Sequence, residues 1–142
     1  MATRNGTAEW RGDLRGGSGT FQVGSGLFSG SYSFKTRFEE EPGTNPEELI
    51  AAAHASCFSM ALSNILAEAG HEPESVNTTA RVHLRMLDGG PTINQIDLVT
   101  EGRVPGIDQD QFAQFAGEAK EGCPVSRALA AVGDITLDAK LL

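Results

Sequence analysis

Short alternating runs of apolar and polar residues dominate the first forty residues of the chain. These runs, which lie between clusters of Gly and Ser, are 7–10, 19–23 and 32–34, the last continuing into 36–38. A period of two with turn residues about every ten positions indicates β-strands joined by tight turns. The pattern predicts a β-meander that ends before Pro42-Gly43.

One long helix is predicted over residues 46–69. Asn45 is a suitable N-cap, Pro46 takes the first helical position, and Glu48 lies where a capping box needs it. No Asp, Glu, Lys or Arg occurs in 49–64, so the helix has no charged face. A helix of this kind is buried on all sides. Because one small sheet covers only one side, we expect a second copy of the chain to cover the other in an obligate homodimer.

The second half of the chain mixes strand and helix patterns. Its predicted elements are strands at 75–86 and 92–103, helices at 110–121 and 125–131, and a last strand at 135–141. Asp88-Gly89-Gly90, between the first two strands, is a hairpin signal. The order β-β-β-α-β-β-α-α-β, with strands in antiparallel runs, predicts an α+β fold in a single domain over residues 1–142.

Charge and composition exclude several classes of protein. The chain has 142 residues, with 11 Lys and Arg against 19 Asp and Glu, and a formal charge of −8. Nucleic-acid binding needs a basic surface, which this composition does not favour. No run approaches the roughly 18 apolar residues of a membrane span, and residues 1–11 lack an apolar signal segment. We therefore expect a cytoplasmic protein that binds neither nucleic acid nor membrane.

The chain has two cysteines, and they lie in different settings. Cys57 falls in the middle of the predicted long helix, where a buried core cysteine is common. Cys123 lies between Gly122 and Pro124, at the predicted N-cap of a short helix. Free N–H groups and the helix dipole lower the pKa of a thiol at such a position. Ser, Thr, Asn and Asp are better caps than Cys, so this position favours a functional thiol.

Two other kinds of chemistry are open to these residues. The candidate metal ligands are Cys57, Cys123, His54, His71 and His83. His54 and Cys57 share one helix face, but no CxxC or HxxxH pair accompanies them, so we expect neither a metal nor another cofactor. His54 is also a conceivable base for Cys57. A histidine three residues before a helical cysteine more often packs beside it than activates it.

Three segments of the chain together resemble the OsmC/Ohr family of hydroperoxide reductases, and within it the OsmC branch. They are Arg37-Phe-Glu-Glu, the stretch from Gly43 through Pro46-Glu47 to Cys57 and Leu62, and Glu121-Gly-Cys-Pro-Val-Ser-Arg127. The resemblance covers nearly the whole chain. It implies an OsmC-like intertwined homodimer, with two long central helices packed between curved antiparallel sheets. Two active sites at the subunit interface are implied as well.

The same resemblance implies a cysteine-based peroxidase that reduces organic hydroperoxides to alcohols in the osmotic and oxidative stress response. Cys57 matches the peroxidatic cysteine, which becomes a sulfenic acid, and Cys123 matches the resolving cysteine, which forms a disulfide with it. Arg37 matches the arginine that holds the thiolate, and Glu47 the carboxylate that orients this arginine. An external dithiol would reduce the disulfide. The alternative is a redox-sensing or small-molecule-binding protein on the same fold, although no DNA-binding element is visible.

Elementary chemistry agrees with these roles. A buried cysteine in an apolar helix has a raised pKa, and a nearby guanidinium reverses this effect and yields the nucleophilic thiolate. The apolar candidates near Cys57 are Phe38, Leu49 and Phe58, which suit an alkyl hydroperoxide. Glu47 and Cys57 are ten positions apart on one helix, roughly 15 Å along its axis and about 80° around it. We therefore expect the Arg37–Glu47 pair to serve the partner subunit's cysteine.

Overall fold

The computed structural model describes residues 1–142 and divides into two compact units, Met1–Leu49 and Ile50–Leu142. The first unit holds β1 (Gly6–Arg11), β2 (Ser18–Val23), β3 (Ser29–Tyr32) and α1 (Phe34–Phe38). Helix α2 (Pro46–Glu68) begins there and continues into the second unit. The second unit adds β4 (Ser75–Leu87), β5 (Gly90–Arg103), α3 (Gln109–Gly122), α4 (Pro124–Ala128) and β6 (Asp134–Leu141). The α+β class is confirmed, and a single domain over 1–142 stays a prediction.

The first unit contains the expected meander, an antiparallel sheet in the order β1-β2-β3. Gly19 of β2 lies between Trp10 and Tyr32 on the neighbouring strands, whose rings are 5.4 Å apart. A Cβ at Gly19 would overlap the Tyr32 ring. Glycine at this position therefore allows the two aromatic side chains to meet across the middle strand.

Residues 34–38 were expected to extend the third strand, and this prediction is wrong. They form helix α1, which Ser33 caps: its Oγ accepts from the Thr36 N–H at 3.2 Å, and its own N–H donates to Thr36 Oγ1 at 2.9 Å. Phe34 and Phe38, one turn apart, bring their ring centroids to 5.0 Å. The spacing of the two phenylalanines fits both a strand and a helix, and the capping box decides for the helix. The observed order therefore has one more helix than expected.

Helix α2 has the ends that the sequence predicts. Asn45 Oδ1 accepts from the Glu48 N–H at 2.9 Å, and Gly70 adopts a φ of +86° just beyond the C-terminus. One face of the helix is buried in the second unit, through His54, Phe58, Leu62 and Leu66. The opposite face is exposed in the single chain, through Ala52, Ala53, Ser56, Met60 and Asn64. The chain alone thus covers only one side of a helix that was expected to be buried on all sides.

Helix α2 is long and apolar enough to cross a membrane, with a mean hydropathy of 1.5 over 18 residues. The expectation that no such run exists is therefore wrong by this measure. The helix nevertheless belongs to the core of the second unit, because Phe58, Leu62 and Leu66 pack against its strand and helix residues. Core helices of soluble proteins share this composition with membrane spans.

The second sheet is mixed, with the order β4-β5-β6. Strands β4 and β5 form the predicted antiparallel hairpin, with a bulge between His83 and Leu84. Strand β6 runs parallel to β5, with Ile135 opposite Ile96, so the expectation of purely antiparallel sheets is wrong. The chain between them forms α3 and α4, and a crossover of this length is what parallel pairing needs. Phe112, Ala116 and Ala119 of α3 complete the core over α2.

Asp97 on β5 joins the three strands of the second sheet. Its Oδ1 accepts from Gln95 Nε2 at 2.7 Å and from Thr136 Oγ1 at 2.8 Å, and its Oδ2 lies 2.7 Å from His83 Nε2. These hydrogen bonds, from Gln95, His83 and Thr136 in that order, lower the pKa of Asp97 to about 2. Since the folded pKa lies below the ordinary value of 3.8, the carboxylate stabilises the fold above about pH 4, and this contribution is lost as the pH falls toward 2.

We expect Asp97→Asn to lower the free energy of unfolding by roughly 1 to 2 kcal/mol at neutral pH, since charge-assisted hydrogen bonds are lost. Urea unfolding between pH 7 and pH 2 measures this, and the variant should lose less stability than the wild type below about pH 4. Asp138→Asn, at an exposed position on β6, is the matched control. Equal acid sensitivity in the wild type and Asp97→Asn would contradict the assignment.

Candidate active site

Two elements of the second unit bring Cys57 and Cys123 together. Cys57 lies on α2, and Cys123 is both the C-cap of α3 and the N-cap of α4. Pro124 disfavours a helical conformation at the residue before it, and Cys123 has φ −57° and ψ 123°, so the chain breaks there between two helices. Both thiols are free. Cys123 is fully buried, Cys57 is partly buried, and the two thiols hydrogen-bond to each other.

The surroundings of Cys123 favour its thiolate. Burial alone would raise its pKa, but hydrogen bonds from the Ser126 N–H, the Cys57 thiol, the Ser126 hydroxyl and the Val125 N–H outweigh it and lower the pKa. Cys123 makes no short cap hydrogen bond of the kind an oxygen makes, because its large sulfur takes longer and weaker ones. The sequence-based expectation of a lowered pKa at this cap agrees with the structure.

Cys57 has the opposite tendency. Burial raises its pKa, the Val125 N–H lowers it, and its hydrogen bond and electrostatic interaction with Cys123 raise it further. The surroundings therefore favour the thiolate at Cys123 and disfavour it at Cys57. No basic side chain is among the groups that shift the pKa of Cys57. A positive charge near Cys57 would favour its thiolate.

Arg37 and Glu47 form an ion pair in the first unit. Arg37, on α1, donates from Nε at 3.0 Å and from Nη2 at 2.9 Å to Oε1 of Glu47, in the first turn of α2. The Glu47 side chain is 9% exposed and the Arg37 side chain 37%. The alternative pairing of Arg37 with Glu39 or Glu41 is wrong. The other carboxylate oxygen of Glu47, Oε2, is buried, and no group of this chain donates a hydrogen bond to it.

An aromatic cavity of about 310 Å³ adjoins Arg37 within the first unit. Its lining is Trp10, Leu14, Tyr32, Ser33, Phe34, Arg37 and Phe38. The Arg37 guanidinium lies 5.3 Å from the centroid of the Phe38 ring. Of the apolar candidates from the sequence, Phe38 lines this cavity, whereas Leu49 does not and Phe58 lies in the core of the second unit. The signal that was missed is the concentration of aromatic residues in the first 38 positions.

His54 does not contact Cys57 as a base would, so the direct His54–Cys57 dyad is wrong. Its Nε2 lies 2.7 Å from Ser126 Oγ, and both side chains are buried. The sequence does not predict Ser126 as the partner of His54, because the two are 72 positions apart. The signal that could have drawn attention to Ser126 is its place three residues after Cys123. His83 contacts Asp97 and His71 contacts Phe115, so the three histidines have different partners. No group of three His, Cys, Asp or Glu residues is placed to hold a metal ion.

Two thiols in contact at the junction of three helices, one buried and one partly exposed, define a thiol redox protein. Residues 38–138 match the family described as OsmC-like protein. The chain is 52% identical over 139 residues to peroxiredoxin OsmC of Escherichia coli (strain K12). The aligned region covers 97% of this chain and 96% of that protein. The chain belongs to the OsmC family.

Solved structures share the fold along the full chain. The organic hydroperoxide resistance protein of Elizabethkingia anophelis superposes with a TM-score of 0.76 at 22% identity, covering 99% of this chain and 96% of that one. The organic hydroperoxide resistance protein OhrB of Bacillus subtilis superposes with a TM-score of 0.71 at 25% identity, covering 97% and 98%. The resemblance that the three sequence segments indicated is thus confirmed for both family and fold.

We expect mild oxidation of the reduced protein to give one disulfide between Cys57 and Cys123 of the same chain, because their thiols are already in contact. Non-reducing gels and peptide mass spectrometry after treatment with one equivalent of diamide measure this. The Cys123→Ser protein, treated identically, controls for links between chains. Wild-type dimers joined by disulfides, without the internal link, would contradict the arrangement.

Proposed function

We propose that this protein reduces organic hydroperoxides to alcohols through a sulfenic acid at Cys57 and a disulfide between Cys57 and Cys123. The contact between the two thiols carries the proposal. The names of the relatives, peroxiredoxin and organic hydroperoxide resistance protein, support the same activity. The protein is a cysteine-based, thiol-dependent peroxidase.

The reaction runs in two oxidative steps at the cysteine pair. The Cys57 thiolate attacks a peroxide oxygen, an S–O bond forms, and the O–O bond breaks, so that the leaving alkoxide takes a proton and departs as the alcohol. The Cys123 thiolate then attacks the Cys57 sulfur, an S–S bond forms, and hydroxide leaves and is protonated to water. A thiol reductant restores both thiols by exchange. We propose that this reductant is an external dithiol.

Arg37 supplies the positive charge that Cys57 lacks. Its Nε and Nη2 are held by Glu47, so the guanidinium is oriented while its side chain remains 37% exposed. A guanidinium beside Cys57 would lower the pKa of the thiol and stabilise the negative charge on the departing oxygen. The aromatic cavity beside Arg37 suits the organic part of a hydroperoxide better than it suits hydrogen peroxide.

A homodimer completes the site. The exposed face of α2 has no charged residue from 49 to 64, and Met60 on it is 73% exposed, so burial against a second copy would stabilise the protein. The unpartnered Oε2 of Glu47 adds a second group that a partner chain would satisfy. Because ten helical positions separate Glu47 from Cys57, roughly 15 Å along α2, we propose that each Arg37–Glu47 pair serves the cysteine of the opposite subunit. We place the protein in the cytoplasm, without nucleic-acid or membrane partners.

We expect Cys57→Ser to abolish peroxide reduction and Cys123→Ser to reduce one equivalent per site and then stop at the sulfenic acid. Rapid mixing with one and with ten equivalents of cumene hydroperoxide measures both, and hydrogen peroxide tests the preference for organic substrates. Sustained turnover by the wild type with a dithiol separates an enzyme from a redox sensor. Normal peroxide consumption by Cys57→Ser would show that the roles are wrong.

We expect Arg37→Met to slow peroxide attack by about 100-fold, since the charge that stabilises the thiolate and the leaving oxygen is lost. Mixing Arg37→Met homodimers with Cys57→Ser homodimers, under conditions that exchange subunits, should restore activity. Each heterodimer then holds one intact and one doubly damaged site and should reach about half the normal rate.

The matched control mixes Arg37→Met with the double variant Arg37→Met/Cys57→Ser, which cannot form an intact site. Mass spectrometry of the intact dimers verifies that exchange has occurred. If heterodimers form and remain as inactive as this control, the site is not shared between subunits.

A further inference from the structure

A hydrogen bond between two buried side chains joins α4 to α2, and the chemistry described above does not use it. His54 Nε2 and Ser126 Oγ are 2.7 Å apart, His54 is fully buried, and Ser126 is 5% exposed. Ser126 is the one buried residue of α4. The other ring nitrogen of His54, Nδ1, is buried and has no hydrogen-bond partner, so Ser126 is the polar partner of this imidazole.

Each member of this pair lies one helical turn from a cysteine. His54 comes three residues before Cys57 on α2, so the two side chains share a face of that helix. Ser126 comes three residues after Cys123, and the Arg127 N–H donates to the Cys123 carbonyl at 3.0 Å, so Cys123 belongs to the first turn of α4. Helical residues three apart have Cβ atoms about 5 to 6 Å apart. The hydrogen bond therefore fixes α2 and α4 against each other one turn from both thiols.

Stability alone does not favour a histidine at position 54. The next residues on this buried face of α2 are apolar, Phe58 and Leu62. A buried imidazole with one hydrogen bond has lost the water that its second nitrogen would bind, and this loss offsets part of what the hydrogen bond contributes. Helix α4, with five residues, is too short to hold its position through its own backbone hydrogen bonds. A directional contact at Ser126 sets that position, which an apolar contact would leave less defined.

We propose that His54 and Ser126 are positioning residues of the resolving step, whose hydrogen bond holds Cys57 and Cys123 at the separation from which their disulfide forms. The inference rests on the proposed peroxidase function and deepens it. A disulfide needs its two Cβ atoms about 3.5 to 4.5 Å apart, so small displacements of α4 against α2 take the sulfurs out of bonding range. Restricting these displacements before the reaction raises the effective concentration of one thiol at the other.

The effective concentration of the two thiols measures this positioning directly. In a glutathione buffer, oxidised glutathione takes two electrons from the protein dithiol, which gives the protein disulfide and two molecules of reduced glutathione. The equilibrium constant of this exchange has units of concentration. We expect Ser126→Ala to lower it about tenfold, because the sulfurs then sample more separations. Disulfide formation after one equivalent of cumene hydroperoxide should slow by a comparable factor.

His54 is tested alone and together with Ser126. His54→Leu should lower the glutathione equilibrium constant as Ser126→Ala does, whereas His54→Gln, whose amide can donate or accept, should restore most of it. The double variant His54→Leu/Ser126→Ala should lower the constant no further than either single variant, because each substitution already removes the same hydrogen bond.

Folding and positioning are separated by the stability of the same proteins. Urea unfolding of the reduced double variant should show a higher free energy of unfolding than that of reduced Ser126→Ala, because the double variant leaves no buried polar group without its partner. Its glutathione equilibrium constant should nevertheless stay as low as that of the single variant. The double variant also serves where Ser126→Ala does not fold.

Thr78→Val is the matched control. Thr78 Oγ1 accepts from Ser59 Oγ at 2.8 Å, so this substitution removes another side-chain hydrogen bond of α2, one that leads to β4 and not to α4. It should leave the glutathione equilibrium constant within about twofold of the wild-type value, because the contact between α2 and α4 is unchanged.

Three results would overturn the inference: an unchanged glutathione equilibrium in the variants at positions 54 and 126, an equal decrease in Thr78→Val, or single effects that add in the double variant. An absence of peroxide consumption by the wild type would instead overturn the proposed function, since the glutathione equilibrium does not depend on that activity. The two failures are therefore distinguishable.

Discussion

Helix α2 has sixteen consecutive positions, 49–64, without an acidic or basic side chain, and the rest of the structure depends on how this helix is covered. The second unit covers the stripe that runs from His54 to Leu66. Cys57 lies beside this stripe, toward the uncovered face, and is therefore partly exposed while its partner Cys123 is buried. Burial of one face thus sets which thiol a peroxide can reach.

The two thiols differ in which groups can stabilise their thiolates. Apart from the Cys57 thiol, the groups that lower the pKa of Cys123 belong to Val125 and Ser126, in the chain segment that follows it, so the thiol that we propose as the resolving one is activated locally. Burial disfavours the Cys57 thiolate, and only the hydrogen bond from the Val125 N–H favours it. In the mechanism that we propose, a cation activates Cys57, and this cation is Arg37, which forms an ion pair with the buried Glu47. A dimer that supplies this cation would also cover the exposed face of α2.

Most local signals in the sequence predict the structure correctly, with the Ser33 capping box as the exception, whereas the nonlocal contacts are not predicted. The ends of α2 depend on Asn45 and Gly70, whose effects act within one turn, and both were predicted. Residues 34–38 were assigned to a strand because the Ser33 capping box was overlooked. The parallel pairing of β6 with β5 depends on where a crossover of two helices leads the chain, which alternation cannot show.

The functional residues follow the same division. Motif resemblance identified four residues, Cys57, Cys123, Arg37 and Glu47. In the structure Cys57 lies beside Cys123, and Arg37 forms an ion pair with Glu47. His54 and Ser126 are in contact although they are 72 positions apart, and no spacing in the sequence predicts this contact.

The most direct test of this account is the pKa of the Cys57 thiol in the assembled protein. Thiolate absorbance at about 240 nm, titrated in the Cys123→Ala background, follows Cys57 alone, with and without the added Arg37→Met substitution. The account predicts that the pKa of Cys57 is below its ordinary value when Arg37 is present and rises above it when Arg37 is replaced. The same pKa in both proteins would contradict the claim that Arg37 activates Cys57.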